Sequence, residues 1–207
     1  MSWMRGYTYQ IEPKKRRRKR WLTLAMIVVV VIFAYSHLST HINYAWKSAQ
    51  PATGMDPNFM MIVNDCFLPT AKAVGYDLRI TAGFRSLAEQ KAIYDQGRTE
   101  NGDIVSEAPP GHSLHNYGYA VDVADETAGY KLDWQKLVRI GAYCGLESGG
   151  DGDLPHFEYR GGLTTDQFLA GMRPLPLTLP CPVMAERAKA GKALTMADLK
   201  ACGAPKF

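Results

Sequence analysis

GHSLHNYGYAVDV, residues Gly111 to Val123, sets two histidines and an aspartate around the entry to a β-branched run. Read with a period of two, Tyr119, Val121 and Val123 point one way, and Gly118, Ala120 and Asp122 the other. The second face is small apart from its carboxylate, which leaves open space beside Asp122. His115 lies in the loop that leads into the strand. An imidazole and a carboxylate converging on open space suggest a metal site that still needs a third ligand.

Working outward, YDLRITAGFRS reads as a second strand, with Leu78, Ile80 and Ala82 on one face and Arg79, Thr81 and Arg85 on the other. Ser86 and Glu89 form an S-x-x-E capping box, so a helix is predicted from Leu87 to about Gln96, stopped by Gly97. Upstream, Asp56 and Pro57 open a helix whose apolar stripe is Phe59, Ile62, Val63, Cys66 and Phe67, with Pro69 expected to kink or end it. Downstream, Asp133 caps a helix carrying Trp134, Leu137, Val138 and Gly141 inward. A glycine-rich turn then leads to a short strand, His156 to Arg160. Alternating helices and strands predict a small α+β domain over residues 56–162, with helices packed on an antiparallel sheet.

DLPHFEY supplies the missing ligand. His156 opens the last strand with Glu158 on its face, while Phe157 and Tyr159 take the core side. His115, Asp122 and His156 would hold one Zn²⁺ per chain and leave its fourth position open, the catalytic rather than the structural arrangement. Asp153, held by the glycine-rich turn and Pro155, is the candidate general base, with Asp151 second. Arg85, fixed by the capped helix after it, is the cation that could face a carbonyl oxygen where negative charge develops.

Charge along the chain is uneven. Residues 1–20 hold eight Lys/Arg against one Glu, while the remainder has 16 basic and 19 acidic residues. A folded part with a net charge of −3 argues against nucleic-acid binding. The run KKRRRKR abuts WLTLAMIVVVVIFAYSHL, and no charged residue occurs from Trp21 to Trp46. We therefore expect a cytoplasmic basic segment (1–20), an uncleaved single-pass transmembrane anchor (21–38), a linker (39–55) and an exported domain. That topology places the domain on the periplasmic or extracytoplasmic side of the cytoplasmic membrane.

All four cysteines fall in the exported part. None forms a C-x-x-C pair, which disfavours a zinc ribbon. One bridge could close the segment between Cys181 and Cys202, whereas Cys66 and Cys144 read as small buried hydrophobes on helical stripes. The segment 163–207 begins with the proline-rich RPLPLTLPCP and is expected to wrap around the domain, with short helices near 185–190 and 195–201.

Three motifs in order, GFRSLAEQKAIYDQGR, GHSLHNYGYAVDV and GLESGGDGDLPHFE, resemble the M15 family of zinc peptidases, which includes D-alanyl-D-alanine carboxypeptidases and L-alanyl-D-glutamate endopeptidases. The resemblance spans about residues 56–160. It implies zinc on His115, Asp122 and His156, Asp153 as base, Arg85 on the substrate carbonyl, and Ser113 supporting the site from behind the ligands. The implied substrates are peptidoglycan stem peptides, with the endopeptidase activity favoured. The alternatives are a D-Ala-D-Ala carboxypeptidase and a non-catalytic zinc-containing module that binds wall peptides. Endopeptidase members usually carry an aromatic-containing insert before the D-x-P-H motif; here only Gly152 separates Asp151 from Asp153. His112 reads as groove lining.

Overall fold

A computed structural model describes residues 26–32 and 54–207. Residues 26–32 are helical, and among the described residues no helix is long and apolar enough to cross a membrane. The rest of the expected 21–38 anchor, the basic segment 1–20 and residues 39–53 of the linker lie outside the described residues.

The first helix of the domain is continuous but changes its winding. Helix α1 (Pro57–Ile62) passes into a π-helical turn (Val63–Phe67) and then into α2 (Leu68–Ala73). Asp56 caps the start through Oδ1, which accepts from the N–H groups of Asn58 and Phe59 at 3.0 Å each. Pro69 does not end the run; the helix changes its winding immediately before it. A proline has no N–H to donate and crowds the carbonyl four residues back. The wider turn, in which Leu68 N–H bonds Val63 C=O, changes the carbonyl spacing just ahead of the ring. Phe59, Ile62, Val63, Cys66 and Phe67 are all fully buried, so the apolar stripe survives the change of pitch.

Four strands form one antiparallel sheet: β1 (Leu78–Ala82), β2 (Ala120–Asp125), β3 (Glu147–Ser148) and β4 (His156–Glu158) in the order β1-β2-β4-β3. Together with the helices this is the α+β architecture expected. Helix α3 (Leu87–Asp95) begins with the capping box of Ser86 and Glu89, and α4 (Trp134–Tyr143) is capped by Asp133. Val121, Val123 and Phe157 are fully buried on the helix side of the sheet, and Phe157 meets Phe67 at 4.5 Å between ring centroids. The opposite face carries Ala120, Asp122, His156 and Glu158. Gly118, at the entry to β2, has φ 75°, and a Cβ there would lie 2.3 Å from Gly54 O. Only glycine allows that approach.

Segment 163–207 is part of the same core. It contributes α5 (Thr165–Leu169), α6 (Pro182–Lys189) and α7 (Met196–Ala201), and buries Phe168, Met184, Leu194 and Leu199. The proline-rich stretch runs along α1, where the Asn58 amide takes both backbone groups of Leu177, accepting its N–H at 2.6 Å and donating to its C=O at 2.9 Å. Helix α5 had no counterpart in the sequence reading, although Thr164 and Gln167 form its capping box.

Cys181 and Cys202 form a disulfide, and so do Cys66 and Cys144. The sequence left the connectivity open, and the second pair shows that Cys66 and Cys144 are bonded as well as buried. Each cysteine lies on the core side of its own segment, which is what lets the two meet.

Candidate metal centre

β2 and β4 bring two of the three expected ligands face to face. Asp122 and His156 are direct cross-strand partners, so their side chains leave the sheet on the same side. The third comes from the single 3₁₀ turn Leu114–Tyr117 before β2. His156 Nδ1 lies 3.1 Å from Asp122 Oδ1 and 3.1 Å from His115 Nε2, and His115 Nε2 lies 3.3 Å from Asp122 Oδ1. Ligands held 2.0–2.1 Å from a tetrahedral zinc stand about 3.3 Å apart, so this donor set fits the ion. Both imidazoles are buried and the carboxylate is half-buried.

The far nitrogen of each ring is also bound. His115 Nδ1 lies 2.6 Å from Gly83 O, and His156 Nε2 lies 3.0 Å from Glu158 Oε2. Such outer contacts fix the tautomer that leaves the inner nitrogens free to ligate. Gly83 follows β1, whose register to β2 shifts between Ile80 and Ala82, and this bulge carries the chain toward His115.

Electrostatics bind the cluster together. Burial alone would raise the Asp122 carboxyl, but hydrogen bonds and charge from His115 and His156 hold it well below the usual carboxylate range. Burial opposes a charge on His156, yet Asp122 and Glu158 together raise its pKa to about 9. Three mutually repelling or proton-bridged donors in one pocket are the chemistry a divalent cation resolves.

Asp153 sits at the rim. Its Oδ2 is 3.9 Å from His156 Nδ1, and its side chain is 61% exposed. Burial and the charge of Asp122 raise its carboxyl, His156 and Arg85 pull it the other way, and solvent screens part of each effect. Asp151 is exposed on the same turn. The turn is tight: a Cβ on Gly149 would lie 2.6 Å from Asp153 O and 2.9 Å from His156 Cβ.

Arg85 lies beyond the end of β1, not within it. Its N–H donates to His115 O at 3.0 Å, Asn116 Nδ2 donates to its carbonyl at 2.9 Å, and its guanidinium donates to Gln90 Oε1 at 3.0 Å. Gln90 is a residue the sequence reading missed. It is fully buried in α3, and its Nε2 donates to Ser106 Oγ and Ala108 O, tying Arg85 to the loop before the histidine motif. A glutamine four residues after the Ser86 cap, on the inward side of a polar helix, was the only signal. Ser113 supports the 3₁₀ turn through its backbone carbonyl, which accepts from Asn116 N–H, and its hydroxyl has no hydrogen bond among the described residues. His112 is 3.8 Å from Asp166 of α5. A cavity of about 440 Å³ between α2 and α6 shares no residue with this site.

A family model described as VanY, D-alanyl-D-alanine carboxypeptidase, matches residues 60–140. The peptidoglycan L-alanyl-D-glutamate endopeptidase CwlK of Bacillus subtilis (strain 168) is 40% identical over 112 residues, covering 45% of this chain and 67% of that protein. Among solved structures, the D,D-pentapeptidase VanY from a VanB-type resistance cassette, a mutant in complex with Zn(II), matches at 19% identity and TM-score 0.43, over 62% of this chain and 86% of that one. The Serratia marcescens L-Ala D-Glu endopeptidase ChiX matches at 24% identity and TM-score 0.35, over 51% of this chain and 80% of that one. The chain belongs to the M15 family of zinc peptidases. It is a zinc-dependent peptidase, and His115, Asp122 and His156 are the donors that fit the ion.

Proposed function

We propose that this peptidase cuts the stem peptides of peptidoglycan as an L-alanyl-D-glutamate endopeptidase, held at the outer side of the cytoplasmic membrane by residues 21–38. The observation that carries the endopeptidase reading is the 40% identity to the Bacillus subtilis enzyme across two thirds of its length. The match to the VanY model favours the second reading, removal of a terminal D-alanine.

In this mechanism His115, Asp122 and His156 would hold the ion, which would supply Lewis acidity toward a carbonyl oxygen and toward water near neutral pH. Asp153 accepts the proton from the attacking water and later delivers it to the leaving amine. Its place 3.9 Å from His156, open to solvent, supports that role. Arg85 stabilises the charge that develops on the carbonyl oxygen, with Gln90 holding the guanidinium in place.

The anchor reading rests on the charge-free run from Trp21 to Trp46 behind eight basic residues. Two disulfides, with no free cysteine among the described residues, support an oxidising compartment outside the cytoplasm. Digestion of purified peptidoglycan with the full-length protein, followed by mass analysis of the fragments, tests the activity. New N-terminal D-glutamyl ends support the endopeptidase, release of D-alanine alone supports the carboxypeptidase, and binding without any product supports the non-catalytic module.

A further inference from the structure

We infer that Glu158 and Arg160 act as a positioning pair for His156, fixing which ring nitrogen it offers and how strongly that nitrogen donates. The inference rests on the reading of His156 as a zinc ligand. His156, Glu158 and Arg160 occupy alternate positions of one extended segment, with Phe157 between the first two turned fully into the core. Glu158 Oε2 accepts from His156 Nε2 at 3.0 Å, while Oε1 accepts from Arg160 Nε. Both carboxylate oxygens are therefore occupied, and the residue is only 7% exposed, which leaves Glu158 without a free oxygen for substrate.

The neighbourhood is built for a buried carboxylate. Ala120 stands directly across from Glu158 on β2, so the strand face leaves room for a charged group rather than filling it. An unpaired carboxylate at this depth would be strongly unfavourable, and the Arg160 guanidinium offsets that cost. The two histidines are thereby made unequal. His115 is backed by the neutral carbonyl of Gly83, His156 by a full negative charge. A carboxylate behind an imidazole holds the proton on the outer nitrogen and increases the donor strength of the inner one. Here the inner atom is Nδ1, which points at Asp122 Oδ1.

The test measures zinc affinity of the full-length protein by competition with a chromophoric chelator, alongside the ¹⁵N shifts of the His156 ring. Glu158→Ala should weaken zinc binding by about 10–100-fold and, read above about pH 9 where the zinc-free wild-type ring is neutral, lose the fixed tautomer. Glu158→Gln should weaken it less, because the amide oxygen still accepts from Nε2–H. Arg160→Met, which keeps the stem but frees Glu158, should give an intermediate loss. If Glu158→Ala fails to fold by circular dichroism, Glu158→Gln and Arg160→Met decide the matter. Wild-type affinity and an unchanged His156 tautomer in the folded variants would overturn the positioning role while leaving the zinc site standing. A wild-type chain that holds no zinc would overturn both.

Discussion

Asp122 and His156 face each other as partners on the two central strands, with Oδ1 and Nδ1 3.1 Å apart. Side chains alternate along a strand, so a one-residue slip of β4 would send His156 into the core and Phe157 into the pocket. The metal site is thus a property of sheet register. The packing of Phe157 against Phe67 and the bonding of Asp122 to His156 favour the same alignment.

The first prediction concerns the metal itself. Purified protein should carry about one zinc per chain, and His156→Ala should lose most of it, since two remaining donors hold the ion weakly. Elemental analysis after gel filtration reads the ratio. Stoichiometric zinc in a His115→Ala/His156→Ala double variant would refute the ligand set.

Removing the base should separate chemistry from binding. Asp153→Asn keeps the shape of the side chain and removes its proton acceptor, so stem-peptide turnover should fall by about 10²–10⁴-fold, roughly 3–5 kcal/mol of barrier. Zinc content should stay near one per chain. Steady-state kinetics beside metal analysis checks both, and an unchanged kcat would move the proton to another group.

The turn that carries Asp153 makes its own prediction. Gly149→Ala would force a methyl to within 2.6 Å of Asp153 O, so the backbone must shift and carry the carboxylate with it. Turnover should drop at least tenfold through kcat, because a displacement of about 1 Å at a reacting group is costly. An alanine variant with wild-type kcat would show that the aim of Asp153 is set elsewhere.

For pH, His156 gives the sign. In the zinc-free chain its pKa stands at about 9, above the ordinary 6.5, so the charged ring contributes stability that is full below about pH 6.5 and disappears as pH rises through about 9. Chelator-treated protein should therefore melt at lower temperature at pH 9.5 than at pH 7. Zinc must displace the same proton, so its affinity should climb over that interval. Thermal scans with chelator and zinc titrations at matched pH values check the pair; flat profiles in both would refute the coupling of His156 to Asp122 and Glu158.

The disulfides close loops of different size, with sequence separations of 78 and 21 residues. Chain-entropy arguments put their contributions at about 4–5 and about 3 kcal/mol. Cys66→Ser/Cys144→Ser should accordingly lower the urea midpoint more than Cys181→Ser/Cys202→Ser. The reverse order would show that burial strain, not loop closure, dominates.

Much of the site was legible because its parts obey local periodicity. Asp122 stands out on a strand face of glycine and alanine, and His156 opens a strand whose alternation with Phe157 is unmistakable. The capping boxes announced α3 by its Ser86 and Glu89. What stayed hidden depended on distant pairing. Gln90 looks like any polar helix residue until the 98–114 loop is laid over it. Cys66 and Cys144 look like core residues because they are buried, and only the packing of the first helix against α4 brings them together. Pro69 was no guide to where the helix ends, because a π turn sits immediately before it.

The strap from Arg173 to Cys202 changes when this enzyme can exist. Met184, Leu194 and Leu199 complete a core whose other half was synthesised a hundred residues earlier, and Asn58 waits for Leu177 to fill its amide. A nascent chain that has emerged only as far as Arg160 already has all three metal donors, but lacks the wedge that closes the hydrophobic interior around them. An interrupted polypeptide ending before the strap should therefore be a loose, protease-sensitive body even though its three candidate donors are all present.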